Sequence, residues 1–161
     1  MYNLKSEFYL KIIFIFSFIA LISAYFIEHV LGHQPCNLCL VERVPYGLSI
    51  ILILVIFFYK RIEKFIILLL IINFIFSFAI SSYHYGIEQG FFEESAVCSA
   101  KNLNELITKE DLLKQLNMRI ISCKDVTFRF FGLSLTTINI VINLLFIITL
   151  FKIYLINEKN K

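Results

Sequence analysis

Residues 65–87 read FIILLLIINFIFSFAISSYHYGI, an unbroken run from Phe65 to Ile87 without aspartate, glutamate, lysine or arginine. A helix crosses the hydrocarbon core of a bilayer in about 20 apolar residues, and in lipid a lone segment satisfies its own amides only as a helix. Three more uncharged stretches lie on either side: Ile12 to Ile27, Val44 to Tyr59 and Phe130 to Phe151. The last is long enough by itself. Phe8 and Tyr9 lengthen the first, whose Lys11 can carry its ammonium to the interface on a flexible stem. The second has the least defined ends. A chain that is 59% hydrophobic and 17% charged, with 18 Phe and no Trp, is not composed like a soluble domain of 161 residues. The expected fold is an all-α membrane protein, a four-transmembrane-helix bundle forming one domain. Its spans are expected at roughly 9–31, 44–60, 65–86 and 131–152, with a large loop over 87–130.

A cleaved leader is the competing account of the N-terminus. Its apolar core would run about 7–15 residues to a small-residue site. The run here is longer and no Ala-x-Ala pattern precedes Tyr25, so a retained first span is expected. Orientation follows from the short connections. Lys5 and Lys11 flank the first span, Lys60, Arg61 and Lys64 lie between the second and third, and Lys152, Lys159 and Lys161 follow the fourth. The positive-inside bias puts both termini and the Lys60–Lys64 turn in the cytoplasm. The net charge of +3 comes largely from these flanks. It therefore argues for topology and not for nucleic-acid binding, and no aromatic-interleaved basic patch accompanies it.

On the opposite, outward face lie all four cysteines. Cys36 and Cys39 form a Cys-x-x-Cys pair between the first two spans, and Cys98 and Cys123 enclose 24 residues of the large loop. In a bacterium that face is the oxidising periplasm, where disulfides persist. The loop also carries Leu103, Leu106, Ile107, Leu113, Leu116 and Ile120 near helical spacing, and Thr108 with Asp111 makes a capping box. A short amphipathic helix starting near Lys109 is expected, lying on the membrane surface or carrying Cys98 toward a partner.

The Cys-x-x-Cys spacing lets two thiols attack and leave in turn, often with depressed pKa values. Pro35 ends the first helix, and Pro45 suits the first turn of the second. Cys39 is thus expected nearer the N-terminus of the second helix, where the dipole favours a thiolate. Arg43, one turn on, is unfavourable for that dipole alone and calls for a partner anion; its bland reading is an interfacial anchor beside Glu42. His29 and His33 with Cys36 and Cys39 could in principle surround zinc, but Pro35 breaks the helix that would align the histidines. No metal is expected. The Cys98/Cys123 segment, if closed, would contribute about 3 kcal/mol as a plain staple. Beside a second redox-capable pair it can also pass oxidation outward by thiol exchange. Four cysteines allow three pairings. The chain has no haem-attachment motif, no Rossmann glycines and no spare cysteines for an iron–sulfur cluster, which leaves a lipid-soluble quinone as the economical electron acceptor.

These residues carry a resemblance. Phe26-x-x-His29-Val30 and Pro35-Cys36-Asn37-Leu38-Cys39-Leu40-Val41-Glu42-Arg43 closely resemble the bacterial disulfide-bond formation protein B (DsbB) family. So do Tyr83-His84-Tyr85-Gly86-Ile87-Glu88 before Cys98, and Phe131-Gly132-Leu133-Ser134 after Cys123. The likeness covers nearly the whole chain in order. It implies an inner-membrane thiol oxidase that makes disulfides by reducing ubiquinone or menaquinone. By that resemblance Cys98 would be attacked by a reduced periplasmic DsbA-type oxidase, with Cys123 as its pair. Cys36 would exchange with the loop pair, and Cys39 would face the quinone. Arg43 would support charge on the reduced ring, and His84 would lie near the same site. The chain departs from the family after Ser134, where Thr136-Thr137-Ile138 stands in place of a commonly seen Pro-x-Trp. Two other classes compete. A membrane thiol reductase similar to the vitamin K epoxide reductase family would carry its Cys-x-x-Cys in the fourth span, and a non-catalytic tetraspan protein would use its loop disulfide only as a staple.

Overall fold

The computed structural model describes residues 4–93, 123–124, 129–130 and 132–159. Four long helices dominate: α1 (Leu4–His29), α2 (Asn37–Phe58), α3 (Glu63–Glu88) and α4 (Leu135–Lys159). All four are long and apolar enough to cross a membrane. A single 3-10 turn over Lys60–Ile62 joins α2 to α3. Before α4, β1 (Arg129–Phe130) and β2 (Leu133–Ser134) pair antiparallel, with Arg129 opposite Ser134 and Phe130 opposite Leu133. Gly132 turns that ladder at φ +82, a backbone region other residues rarely adopt. The expected loop helix near Lys109 and its stripe from Leu103 to Ile120 lie outside the described residues, as does Cys98.

Two helix starts differ from the sequence reading. The second helix begins at Asn37 instead of near residue 44. Cys36 caps it: its backbone is extended (φ −72, ψ 166) and its sulfur accepts the Cys39 N–H at 3.3 Å, satisfying a donor otherwise orphaned at the helix start. Pro45 therefore falls in the helix interior and not in its first turn. Lacking an N–H, it interrupts the hydrogen-bond ladder, while its carbonyl accepts from Asn73 Nδ2 of α3 at 2.9 Å. The fourth helix starts at Leu135 instead of 131, because the preceding residues form the hairpin and Ser134 Oγ accepts the Thr137 N–H at 3.2 Å.

The end of α3 follows from Gly90. At φ +79 it lets the Gly90 N–H reach the Ile87 carbonyl (3.0 Å) and the Phe91 N–H reach the Gly86 carbonyl (2.8 Å), the paired bonds of a Schellman cap. The core is one apolar seam along the bundle, including Leu10, Ile13, Ile53, Ile67, Leu70 and Leu150. Tyr46, Phe74 and Phe146 meet edge-on within it, Phe74 lying 5.0 Å from Phe146 between ring centres. Small polar residues let the helices approach closely: Ser49 Oγ of α2 donates to Ser17 Oγ of α1 at 3.0 Å, and Ser77 and Ser81 of α3 are fully buried. Phe18, Ile51, Phe65, Phe76 and Phe151 point outward. In water such a surface would be an association site. In a bilayer it is the lipid contact. α3 packs most closely on α4, α2 bridges to α1, and α1 touches α4 only lightly. That light contact leaves a gap between α1, α2 and α4, at the end of the bundle where the cysteines lie.

Candidate active site

Cys36 and Cys39 are free thiols whose sulfurs lie 2.7 Å apart at the start of α2. The three-residue spacing from an N-cap into the first turn brings the side chains together. Cys36 holds the capping position, and Cys39, expected near the N-terminus of this helix, lies in its first turn. The Cys39 thiol hydrogen bond is the largest influence on Cys36, and His84 and the Cys39 N–H add to it. Together they outweigh burial and hold the Cys36 thiol well below the ordinary range. A thiolate there is also where the helix dipole favours it.

His84, in the last turns of α3, completes the site. Its Nε2 lies 3.6 Å from Cys36 Sγ and its Nδ1 lies 2.9 Å from Glu42 Oε1. Only 2% of the residue is exposed, so these contacts are its chemistry. Glu42 is held in turn by Asn139 Nδ2 of α4, which donates to Oε2 at 2.8 Å and also to Ser81 Oγ at 2.8 Å. Tyr46 donates its hydroxyl to Asn139 Oδ1. Thr136 Oγ1 donates to Glu88 Oε1 at 2.5 Å and lies 3.4 Å from His84 Nδ1. Thr136, where the chain departs from Pro-x-Trp, thus contributes a buried hydroxyl to the network around His84.

Arg43 has the partner anion that its position called for: Nη1 meets Glu28 Oε2 of α1 at 2.5 Å, and the guanidinium stands 5.3 Å over the Tyr25 ring. The pair ties α1 to α2 at the level of the thiols. Beside it lies a cavity of about 250 Å³ between α1, α2 and α4. Phe16, Ala20 and Ile142 give it apolar walls, and Cys39, Glu42 and Arg43 line its polar end.

Cys123 is disulfide-bonded and 2% exposed, and shares one buried cluster with Cys36, Leu38 and Ile87. The structure therefore brings four of the expected site residues together: Cys36, Cys39, His84 and Arg43, with Cys123 packed against the same cluster. His29 turns back on its own helix, Nδ1 lying 3.2 Å from the Tyr25 carbonyl, and His33 lines the cavity. Sequence reasoning missed Glu28, Glu88, Thr136 and Asn139. The available signal was charge: Glu28, Glu42 and Glu88 are carboxylates at the ends of membrane-spanning runs, where an ionisable group is costly unless it serves a site.

Fold and site define a multi-pass membrane protein carrying a half-buried dithiol beside an imidazole at one end of its helical bundle. A model of the family described as disulfide bond formation protein DsbB matches residues 6–153. The chain belongs to that family, and disulfide oxidoreductase activity comes with it. An uncharacterized protein of Rickettsia prowazekii (strain Madrid E) is 31% identical over 147 residues, covering 90% of this chain and 86% of that protein. No solved structure matches.

Proposed function

We propose that the protein is a quinone-dependent thiol oxidase of the bacterial inner membrane. In this reading it oxidises a periplasmic DsbA-type thioredoxin-fold protein by thiol–disulfide exchange and delivers the electrons to ubiquinone or menaquinone. Both termini are cytoplasmic and the cysteines periplasmic. The single observation that carries the reading is the cavity: apolar along its walls, open between spans, and lined at its polar end by Cys39 and Arg43. A quinone bound there would accept two electrons and two protons.

The chain's own groups divide the remaining work. Cys98 and Cys123 take up the partner's electrons: the partner thiolate attacks one sulfur of their disulfide, and the partner's second thiol resolves the mixed disulfide. The reduced loop pair then exchanges with oxidised Cys36–Cys39. A loop thiolate attacks Cys36, which packs in one cluster with Cys123, and Cys39 leaves as the thiolate beside the cavity. Cys39 faces the cavity and hands the pair's electrons to the acceptor. His84, shared between Cys36 and Glu42, holds or releases the thiol proton. Arg43, fixed by Glu28, presents positive charge where negative charge develops.

Filling the cavity tests this reading. Ala20→Trp places an indole in its apolar wall. Quinone reduction driven by a reduced DsbA-type protein should fall at least tenfold, while thiol exchange between that protein and the loop pair continues. Unchanged quinone reduction in a folded Ala20→Trp protein would overturn the assignment of this cavity.

A further inference from the structure

Cys36 Sγ, Cys39 Sγ and an imidazole nitrogen of His84 all lie within 4.8 Å of one another. We propose that this group is a site for a soft divalent cation of the zinc class, open only when the dithiol is reduced. The reading rests on this geometry alone and stands whatever the electron acceptor is.

Three features fit. Two thiolates and an imidazole are three of the four donors zinc prefers, at about 2.3 Å for sulfur and 2.0–2.1 Å for nitrogen. Tetrahedral bonds of those lengths put sulfur and nitrogen about 3.6 Å apart and the two sulfurs about 3.8 Å apart. Cys36 Sγ and His84 Nε2 are already 3.6 Å apart, so only the 2.7 Å sulfur–sulfur distance must widen, by rotation of Cys39 about its side-chain bonds. Second, Glu42 lies against the other ring nitrogen of His84 at 2.9 Å. A carboxylate there fixes the tautomer that turns the Nε2 lone pair toward the sulfurs, the carboxylate–histidine arrangement found behind metal-bound imidazoles. Third, Glu88 is 94% buried at its side chain, since only 6% is exposed, and its Oε1 lies 3.9 Å from His84 Nε2. Its other oxygen, Oε2, has no hydrogen-bond partner among the described residues. Glu88 stands outside that group of three, and its orphaned oxygen, turned toward the sulfurs, supplies the fourth ligand.

Binding forms two metal–sulfur bonds, one metal–nitrogen bond and one metal–oxygen bond. Thiol protons leave to solvent, and nothing is oxidised or reduced. Oxidation of Cys36 and Cys39 to a disulfide removes both sulfur ligands, so the cation and the disulfide exclude each other. A metal-loaded dithiol can neither exchange with a disulfide nor pass electrons on, and the site therefore renders the enzyme sensitive to free zinc.

The test uses the full-length protein in detergent, in wild-type form and with Cys98→Ala and Cys123→Ala, so that the loop pair cannot ligate. Zn²⁺ is titrated against a chromophoric chelator. Co²⁺ is added separately for its thiolate-to-metal charge-transfer band. The reduced protein should bind one equivalent in both backgrounds, show the charge-transfer band and release the metal on oxidation with diamide. Glu42→Gln should weaken binding 10–100-fold, and His84→Gln should weaken it further. Should His84→Gln fail to fold, X-ray absorption on the wild-type zinc form still decides, since two sulfur and two nitrogen or oxygen ligands are expected. Stoichiometric binding by the oxidised protein, absence of binding by the reduced one, or a shell without nitrogen would each overturn the proposal.

Discussion

At the scale of single residues, Cys36 is the thiol the fold activates, and Cys39 is the thiol the fold presents to the cavity. The hydrogen bond from Cys39 is the largest cause of the lowered Cys36 pKa, ahead of His84. A lowered thiol pKa keeps the thiolate populated as pH falls, and the thiolate is lost only when pH drops through that lowered value. Alkylation of Cys36 in the reduced protein should therefore stay near its plateau into mildly acidic solution. In Cys39→Ala it should fall there by roughly tenfold for each pKa unit recovered. Mass spectrometry of iodoacetamide adducts measures both, and an alkylation profile centred in the ordinary thiol range would contradict the assignment. Glu42 is the other residue with a distinct prediction, because it accepts from Asn139 and faces His84 at once. Glu42→Ala removes the carboxylate that both partners share in a buried site and should cost about 3 kcal/mol, read as a lowered midpoint of thermal unfolding in detergent. Glu42→Gln keeps the shape and should cost less.

At the scale of elements, much of the architecture could be read from runs of uncharged residues, since a bilayer punishes charge over a known length. Helix ends could not be read that way. α2 was expected near residue 44 because Glu42 and Arg43 interrupt the apolar run, yet it starts at Asn37 because both charges find partners on other helices. Those partners depend on how α1 and α3 pack against α2, which no local spacing encodes. The same holds for Thr136, whose value emerges only when α4 brings it to Glu88. Cys36, Cys39 and Arg43 were legible because their motif is contiguous, and His84 was legible only through resemblance. The end of α3 offers a check on packing. A Cβ added at Gly86 would come within 2.3 Å of the Phe92 ring, which stacks on Tyr83 with centroids 5.6 Å apart. Phe92 is half exposed and can swing away, so Gly86→Ala should cost about 1 kcal/mol, roughly the value of the lost stacking. In a Phe92→Ala background the same change should cost much less. Equal costs in both backgrounds would show that Phe92 is not what Gly86 accommodates.

At the scale of the whole molecule, four helices passing back and forth put the Lys60–Ile62 turn and the Gly90 cap at opposite ends of α3. Single cysteines introduced as Arg61→Cys and Phe91→Cys, in a protein lacking the native four, should react with a membrane-impermeant maleimide from opposite faces. Phe91→Cys is expected on the periplasmic side. Labelling of both from one face would break the topology. The same arrangement links function to the membrane: Cys123 and the Cys36–Cys39 pair meet at one end of the bundle, beside the cavity between α1, α2 and α4. Anaerobic reaction of the purified protein with a reduced DsbA-type protein and quinone, counting disulfides formed against quinone consumed, tests the central claim most directly. One quinone reduced for each disulfide formed, with both lost in Cys39→Ser, is the predicted result. Disulfides formed without quinone consumption, or quinone consumption that survives Cys39→Ser, would contradict it.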